Sequence, residues 1–181
     1  ETDNTTGNAT VTLVSQSSGI DTSTITASVS SSESTGDVVT TTLGGSAADS
    51  IVYDAGDTVD GGLGSDTLVI SNLGSTENID FSNLSGTIEN IESINLDSGT
   101  QHVTISFDDV LDMTDGSNTL DISDIIGTGG DTLDIQDDGW TGTSSTTSPV
   151  GTTDGETTYV YTNGSDSITL TVDDTIDQNI I

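Results

Sequence analysis

The chain contains no cysteine, no lysine and no arginine. Without cysteine, no disulfide staples the fold and no thiolate serves as nucleophile or soft metal ligand. Without lysine and arginine, no side-chain ammonium or guanidinium pairs with a carboxylate and no lysine isopeptide crosslink closes. Trypsin has no site to cut, and the usual clamps for phosphates and oxyanions are missing. There is one histidine, His102, at the head of the run Val103-Thr104-Ile105. It reads as a strand-edge residue, and with no second histidine there is no nitrogen–sulfur zinc set. Aromatic residues make up 3% of the chain, so any core must be built from Ile, Leu and Val. No run is apolar enough for a membrane span, and nothing has the form of a signal or transit peptide.

What is present in excess is acid. The 181 residues carry 31 Asp and Glu, for a formal net charge of −31. Nucleic acid and anionic membrane surfaces repel such a chain, so neither is an expected partner. The carboxylates have to be spread out, hydrated or neutralised by cations, and salt screens the exposed ones. An acidic Thr/Ser/Gly/Asp-rich chain with few aromatics has the composition of a disordered one. Against disorder, apolar residues recur at every second position in short runs. These are Ile79-x-Phe81, Ile94-x-Leu96, Val103-x-Ile105-x-Phe107, Leu120-x-Ile122, Leu133-x-Ile135 and Ile168-x-Leu170-x-Val172. Turns rich in Gly, Asn, Asp and Ser separate them, and this alternation predicts an all-β protein. One helical turn is expected at Phe107–Asp112, where apolar residues fall at i, i+3 and i+4.

The stretch Gly44–Ile70 organises the rest. Gly61-Gly62-Leu63-Gly64-Ser65-Asp66-Thr67-Leu68-Val69 fits the nonapeptide G-G-x-G-x-D-x-U-x at every defined position, a pattern associated with calcium-binding turns of parallel β-structures. Gly44-Gly45-Ser46-Ala47-Ala48-Asp49-Ser50-Ile51-Val52 is a second copy with Ala47 in place of the third glycine. Between them, Tyr53–Asp60 carries Gly56, Asp57 and Val59 and counts as a shortened repeat. The glycines allow tight turns that point main-chain carbonyls inward. The Asp adds a carboxylate and the apolar U residue starts a strand. In a two-edged roll, copies starting at Gly44 and Gly61 share an edge, with Asp49 stacked on Asp66, and such turns supply the hard oxygen ligands calcium prefers. Gly116–Leu120, Gly129-Gly130-Asp131-Thr132-Leu133 and Gly164–Ile168 each keep half of the pattern. The candidate metal-site residues are therefore Gly44, Gly45, Asp49, Asp57, Gly61, Gly62, Gly64, Asp66 and Asp131, with Ca2+ as the cofactor; a Gly-Asp turn without metal is the plainer alternative.

The expected architecture is a calcium-stabilised parallel β-roll or β-solenoid whose stacked coils bury a continuous aliphatic interior. A β-sandwich of short strands is the alternative. Residues 1–43 form a Thr/Ser-rich N-terminal strand segment, with Ala9–Val14 and Ile25–Val29 alternating as strands. Residues 44–174 form the solenoid, and 175–181 an acidic-apolar tail. Trp140 and Pro149 flank a Gly/Thr/Ser loop, 139–155. Trp140 covers the end of the core, or else serves as a ligand-binding platform for a sugar.

The pieces ADSIVYDAGDTVDGGLGSDTLVI, IENIESINL, FDDVLDMTDGSNTLDI, GDTLDIQDDGWT and TTYVYTNGSDSITLTVDD follow one another in an order that resembles the C-terminal region of bacterial RTX (repeats-in-toxin) proteins. These are the large adhesins and surface proteins of type I secretion. The resemblance spans roughly residues 44–174. It implies an extracellular, calcium-stabilised β-structure secreted with an uncleaved C-terminal signal, for which the tail ending Asn179-Ile180-Ile181 is suited. Family calcium positions carry over to Gly61, Gly62, Gly64 and Asp66, and to Gly44, Gly45 and Asp49. This chain has one perfect nonapeptide where family members have a run. The family also includes lipases, proteases and haemolysins, so the resemblance fixes no activity.

No enzyme is expected. There is no G-x-S-x-G elbow, and adjacent acids such as Asp108/Asp109, Asp137/Asp138 and Asp173/Asp174 follow from composition. The expected function is a non-enzymatic, extracellular, calcium-binding structural or adhesive module of a secreted bacterial surface or biofilm-matrix protein. The first alternative is a self-assembling subunit of an extracellular filament or surface layer, whose partner is another copy of itself. The second is a module binding cell-surface glycans through Trp140, Tyr159 and Tyr161.

Overall fold

The computed structural model describes residues 25–28, 40–53, 56–70, 76–97, 99–124, 130–147 and 155–181. The strand expected at Ala9–Val14 lies outside them. In chain order the strands are β1 (Ile25–Ser28), β2 (Thr40–Leu43), β3 (Ser50–Val52), β4 (Thr58–Asp60), β5 (Thr67–Ile70), β6 (Thr76–Asp80), β7 (Ile88–Glu89), β8 (Ser93–Leu96) and β9 (Thr100–Ser106). Then come the helix α1 (Phe107–Met113) and β10 (Thr119–Ser123), β11 (Thr132–Gln136), β12 (Thr141–Thr147), β13 (Glu156–Asn163), β14 (Asp166–Asp173) and β15 (Asp177–Ile180). The described chain is all-β apart from α1 and a 3-10 turn at Phe81–Asn83.

The strands form three sheets, of order β1-β2-β4-β7, β12-β13-β14-β10-β8-β5-β3 and β15-β11-β9-β6. Successive strands visit the sheets in rotation: β4, β5, β6, then β7, β8, β9. In the next round α1 stands in chain order where a strand of the first sheet would come, followed by β10 and β11. Pairs β1–β2, β12–β13 and β13–β14 are antiparallel. The pairs that link one round to the next are parallel.

The register explains why the period-2 runs work. In the second sheet Ile51 pairs with Leu68, Leu68 with Ile94, Ile94 with Ile122 and Ile122 with Val172. In the third, Ile79 pairs with Val103 and Val103 with Leu133. All of these are buried. Each strand of these rows alone has only one to three inward aliphatics. Stacked in register they form continuous rows, and burying each side chain contributes on the order of 1.5–3 kcal/mol. A one-residue slip would turn a whole row outward, so the rows also fix the register.

The helix expected at Phe107–Asp112 is present as α1. Its capping box is complete: Ser106 Oγ accepts from the Asp109 N–H at 3.0 Å, and an Asp109 carboxylate oxygen accepts from the Ser106 N–H at 2.7 Å. Two other expectations change. The stretch expected as a loop at 139–155 contains β12, which pairs antiparallel along its whole length with β13. The stretch expected as a tail at 175–181 contains β15, paired in parallel with β11. In both cases the strand arises from main-chain pairing to a neighbour, which a polar sequence permits but does not signal.

An aromatic group closes one end of the aliphatic core. The rings of Phe107 and Tyr161 stack with centroids 4.2 Å apart, and Trp140 lies tilted against Phe107 at 6.1 Å. Trp140 is 3% exposed, and its indole Nε1–H donates to Asp108 Oδ1 at 2.9 Å. It covers the core end, as one expectation had it. The sugar-platform reading of Trp140 is corrected: a stacking platform needs an exposed ring face, and this ring is enclosed.

Candidate metal centre

The turns Gly44–Asp49 and Gly61–Asp66 lead from the first sheet into the second, ahead of β3 and β5. Because β2 pairs with β4 and β3 with β5, the two turns lie one on the other. Three main-chain bonds hold them: Gly44 N–H to Asp60 O at 2.6 Å, Leu63 N–H to Gly45 O at 2.9 Å, and Thr67 N–H to Asp49 O at 2.9 Å. A side-chain bond completes the stack. The Asp49 N–H donates to Asp66 Oδ1 at 2.7 Å across a sequence separation of 17. Asp49 is thus stacked on Asp66, in register with the two nonapeptides.

The need for glycine is steric at one position and conformational at another. A Cβ on Gly61 would overlap the Asn90 carbonyl oxygen and stand 2.7 Å from Asp66 Cβ and 2.8 Å from Asp66 Oδ2. Gly62 has φ +88°, and its Cβ would overlap Gly45 O. The defect at Ala47 falls on the outer turn of the pair. Ala47 is exposed and has no positive φ. Its counterpart Gly64 has φ +141° and would put a Cβ 2.7 Å from Ala47 O.

The seam between the turns is lined by hard oxygen atoms. Carbonyl oxygens of Gly45, Ala47 and Gly61 face the α-carbons of the opposite turn. Asp49 Oδ2 accepts from Gly45 N–H at 2.9 Å, and Asp60 Oδ1 accepts from Gly62 N–H at 3.0 Å. Asp66 is fully buried, with 0% exposure, and its Oδ2 has no hydrogen-bond partner. Burial raises its pKa above the usual carboxylate value; the Asp49 N–H pulls it down, and the charges of Asp49 and Asp60 push it up again. A buried carboxylate oxygen without a donor is costly, and this chain has no Lys or Arg to supply one. An orphaned carboxylate oxygen beside a glycine-lined seam of main-chain carbonyls is the hard-oxygen chemistry that suits a divalent cation. Among the described residues, no group of three or more His, Cys, Asp or Glu side chains is arranged to hold a metal. A cation here would therefore depend on main-chain carbonyls beside Asp49 and Asp66.

Gly44, Gly45, Asp49, Gly61, Gly62, Gly64 and Asp66 are thus brought together. Asp57 and Asp131, the other two candidates, stand at different corners. Asp57 is buried at the corner that enters β4. Asp131 is buried at the corner that enters β11, where its Oδ1 accepts from the Gln101 N–H at 2.8 Å. Burial raises the Asp131 pKa; the Gln101 N–H opposes this, the Asp124 charge adds to it, and His102 opposes it. Each acid stands one residue before a strand, and with three sheets these corners are different places.

One residue of the site escaped the sequence reading. Glu92 stands one residue before β8, and its Oε2 accepts from the Asp66 N–H at 2.8 Å. It lies in no nonapeptide. The available signal was the one it shares with Asp49, Asp57, Asp66 and Asp131: an acid immediately before a period-2 run. Compared with known families, curated proteins and solved structures, the chain finds no match in any of the three.

Proposed function

We propose that the chain is a non-enzymatic, extracellular, calcium-binding structural or adhesive module of a secreted bacterial surface or biofilm-matrix protein, built as a short three-sided β-solenoid. One observation carries the reading: the two glycine turns stack in register and leave the buried Asp66 Oδ2 without a donor in a seam of carbonyl oxygens. The parallel pairing of successive rounds favours a solenoid over a β-sandwich. In a calcium-poor compartment, repulsion among the carboxylates opposes closure of the corner. In the roughly millimolar calcium typical of extracellular modules, the ion neutralises the seam and the coils stack, so binding and folding are coupled. Resemblance to RTX adhesins supports the extracellular setting and the type I export route.

The test is a calcium titration followed together by circular dichroism, melting temperature and light scattering. A rise in β-structure and melting temperature with calcium, reversed by a chelator, supports the reading. A chelator that changes neither removes it. A second reading, a self-assembling subunit of a filament or surface layer, is favoured by the sheet ends. Among the described residues β3 and β15 each pair on one side only, and Val52, Ile180 and Ile181 beside them are exposed. Growth in scattering as calcium is added selects that reading; a constant monomer size selects the first.

A further inference from the structure

The stack of open turns does not continue into the next round, and the way it stops is specific. Asn90 occupies the position beneath Gly61, with its carbonyl oxygen against the Gly61 α-carbon. Its backbone is left-handed, φ +55°. From there the chain reaches Glu92 directly, where the two turns above take an open loop from Gly44 to Asp49 and from Gly61 to Asp66. Ile91 between them is fully buried, and its N–H donates to Met113 O of α1 at 2.9 Å. Two polar groups of this tight corner face the turn above. The Asn90 Nδ2 amide donates to Asp60 Oδ1 at 2.7 Å, and Glu92 Oε2 accepts from the Asp66 N–H at 2.8 Å. The Glu92 N–H returns a bond to Asp66 O at 3.1 Å.

We infer that Asn90-Ile91-Glu92 is the closing rung of the cation site, with Glu92 as its positioning residue. Glu92 does for Asp66 what Asp66 does for Asp49: it accepts the main-chain N–H and holds the turn above in place. Asn90 gives Asp60 an amide donor where another open turn would have placed a second cation. The site therefore takes a single divalent cation, held between the turns Gly44–Asp49 and Gly61–Asp66 in the face of the orphaned Asp66 Oδ2. This inference rests on the calcium reading above and adds its stoichiometry and the residue that terminates it.

The experiment is calorimetric titration of the full chain with calcium chloride, wild type against Asp66→Asn, Glu92→Gln and Glu92→Ala, with folding at saturating calcium followed by circular dichroism. The wild type binds one ion at this site, and Asp66→Asn loses it. Glu92→Ala weakens that ion about tenfold or more, as loss of an outer supporting group does. Glu92→Gln, whose amide oxygen still accepts the Asp66 N–H, stays within about threefold of wild type by the same reasoning. A merely structural role would lower the melting temperature of Glu92→Ala equally with and without calcium and leave affinity unchanged, and that result overturns the inference. Two ions lost on Asp66→Asn overturn it as well. If Glu92→Ala does not fold, Glu92→Gln decides: an affinity about tenfold below wild type means the charge acts, not the acceptor, and refutes the positioning role. A wild-type chain that binds no calcium at all fails the calcium reading and this inference together, whereas the other adverse results leave the calcium reading standing.

Discussion

Replacing Gly61 with alanine tests the stacked corner directly. The added methyl group would run into the Asn90 carbonyl oxygen and stand 2.7 and 2.8 Å from two atoms of Asp66. None of these can swing aside as a flexible side-chain tip would. Asn90 O is main chain, and Asp66 is buried and tied to the Asp49 N–H. The second and third rounds must separate locally, which loosens the bond from Gly61 N–H to Glu89 O at 3.0 Å and the register of β4 on β7. Overpacking of this kind costs about 3 kcal/mol, at the upper end of the usual range. For a chain of this size that corresponds to a fall in melting temperature of about 6–12 °C. The control is Gly116→Ala. Gly116 has open space around it and no positive φ, so alanine there is neutral or stabilises by up to about 1 kcal/mol through the unfolded chain. Both variants are measured by thermal denaturation in the same calcium-containing buffer. A Gly61→Ala protein that melts within about 2 °C of wild type, given the 2–4 °C expected per kcal/mol, would refute the close approach of the two rounds and with it the geometry of the seam.

Two further outcomes follow from the buried groups. Burial raises the carboxyl pKa of Asp109 above the usual carboxylate value; the Ser106 N–H and hydroxyl oppose the shift, while the charges of Asp80 and Asp112 add to it. The folded chain thus holds a proton that the unfolded chain has released. Its contribution to stability is complete below the unfolded pKa and is lost as pH rises through the folded one. In the presence of a chelator the melting temperature should rise as pH falls from 7 towards about 4, the reverse of ordinary acid denaturation. Asp115 acts in the opposite sense, its pKa lowered by the Ser117 N–H and hydroxyl at the surface. A melting temperature that falls steadily on acidification contradicts the prediction. Separately, Trp140→Ala should cost about 3–5 kcal/mol, the usual penalty for emptying a buried aromatic site, and Trp140→Phe should cost less while leaving Asp108 Oδ1 without its indole donor. Denaturant unfolding measures both, and an alanine variant as stable as wild type would place Trp140 outside the core.

The strands were readable because side-chain alternation is a local property. Ile94-x-Leu96 or Leu133-x-Ile135 needs only its own residues to specify two faces, and both runs became strands with their aliphatics buried. The pairing of Gly44–Asp49 with Gly61–Asp66 was also readable, since two copies of one pattern carry their own register. The absence of every lysine and arginine meant that a buried carboxylate such as Asp66 would find no cationic side chain. Three things were decided only in the folded chain. The number of faces per round is set by which distant strands pair, so a two-edged reading of the repeats became three sheets, and Asp57 and Asp131 went to corners of their own. The strand β12, Thr141–Thr147, has no inward apolar row and exists through its antiparallel pairing with β13. Glu92 carries no motif and enters the site because the parallel pairing of β5 with β8 lays its carboxylate under the Asp66 N–H. Local alternation specifies faces; long-range main-chain pairing decides which corner meets which.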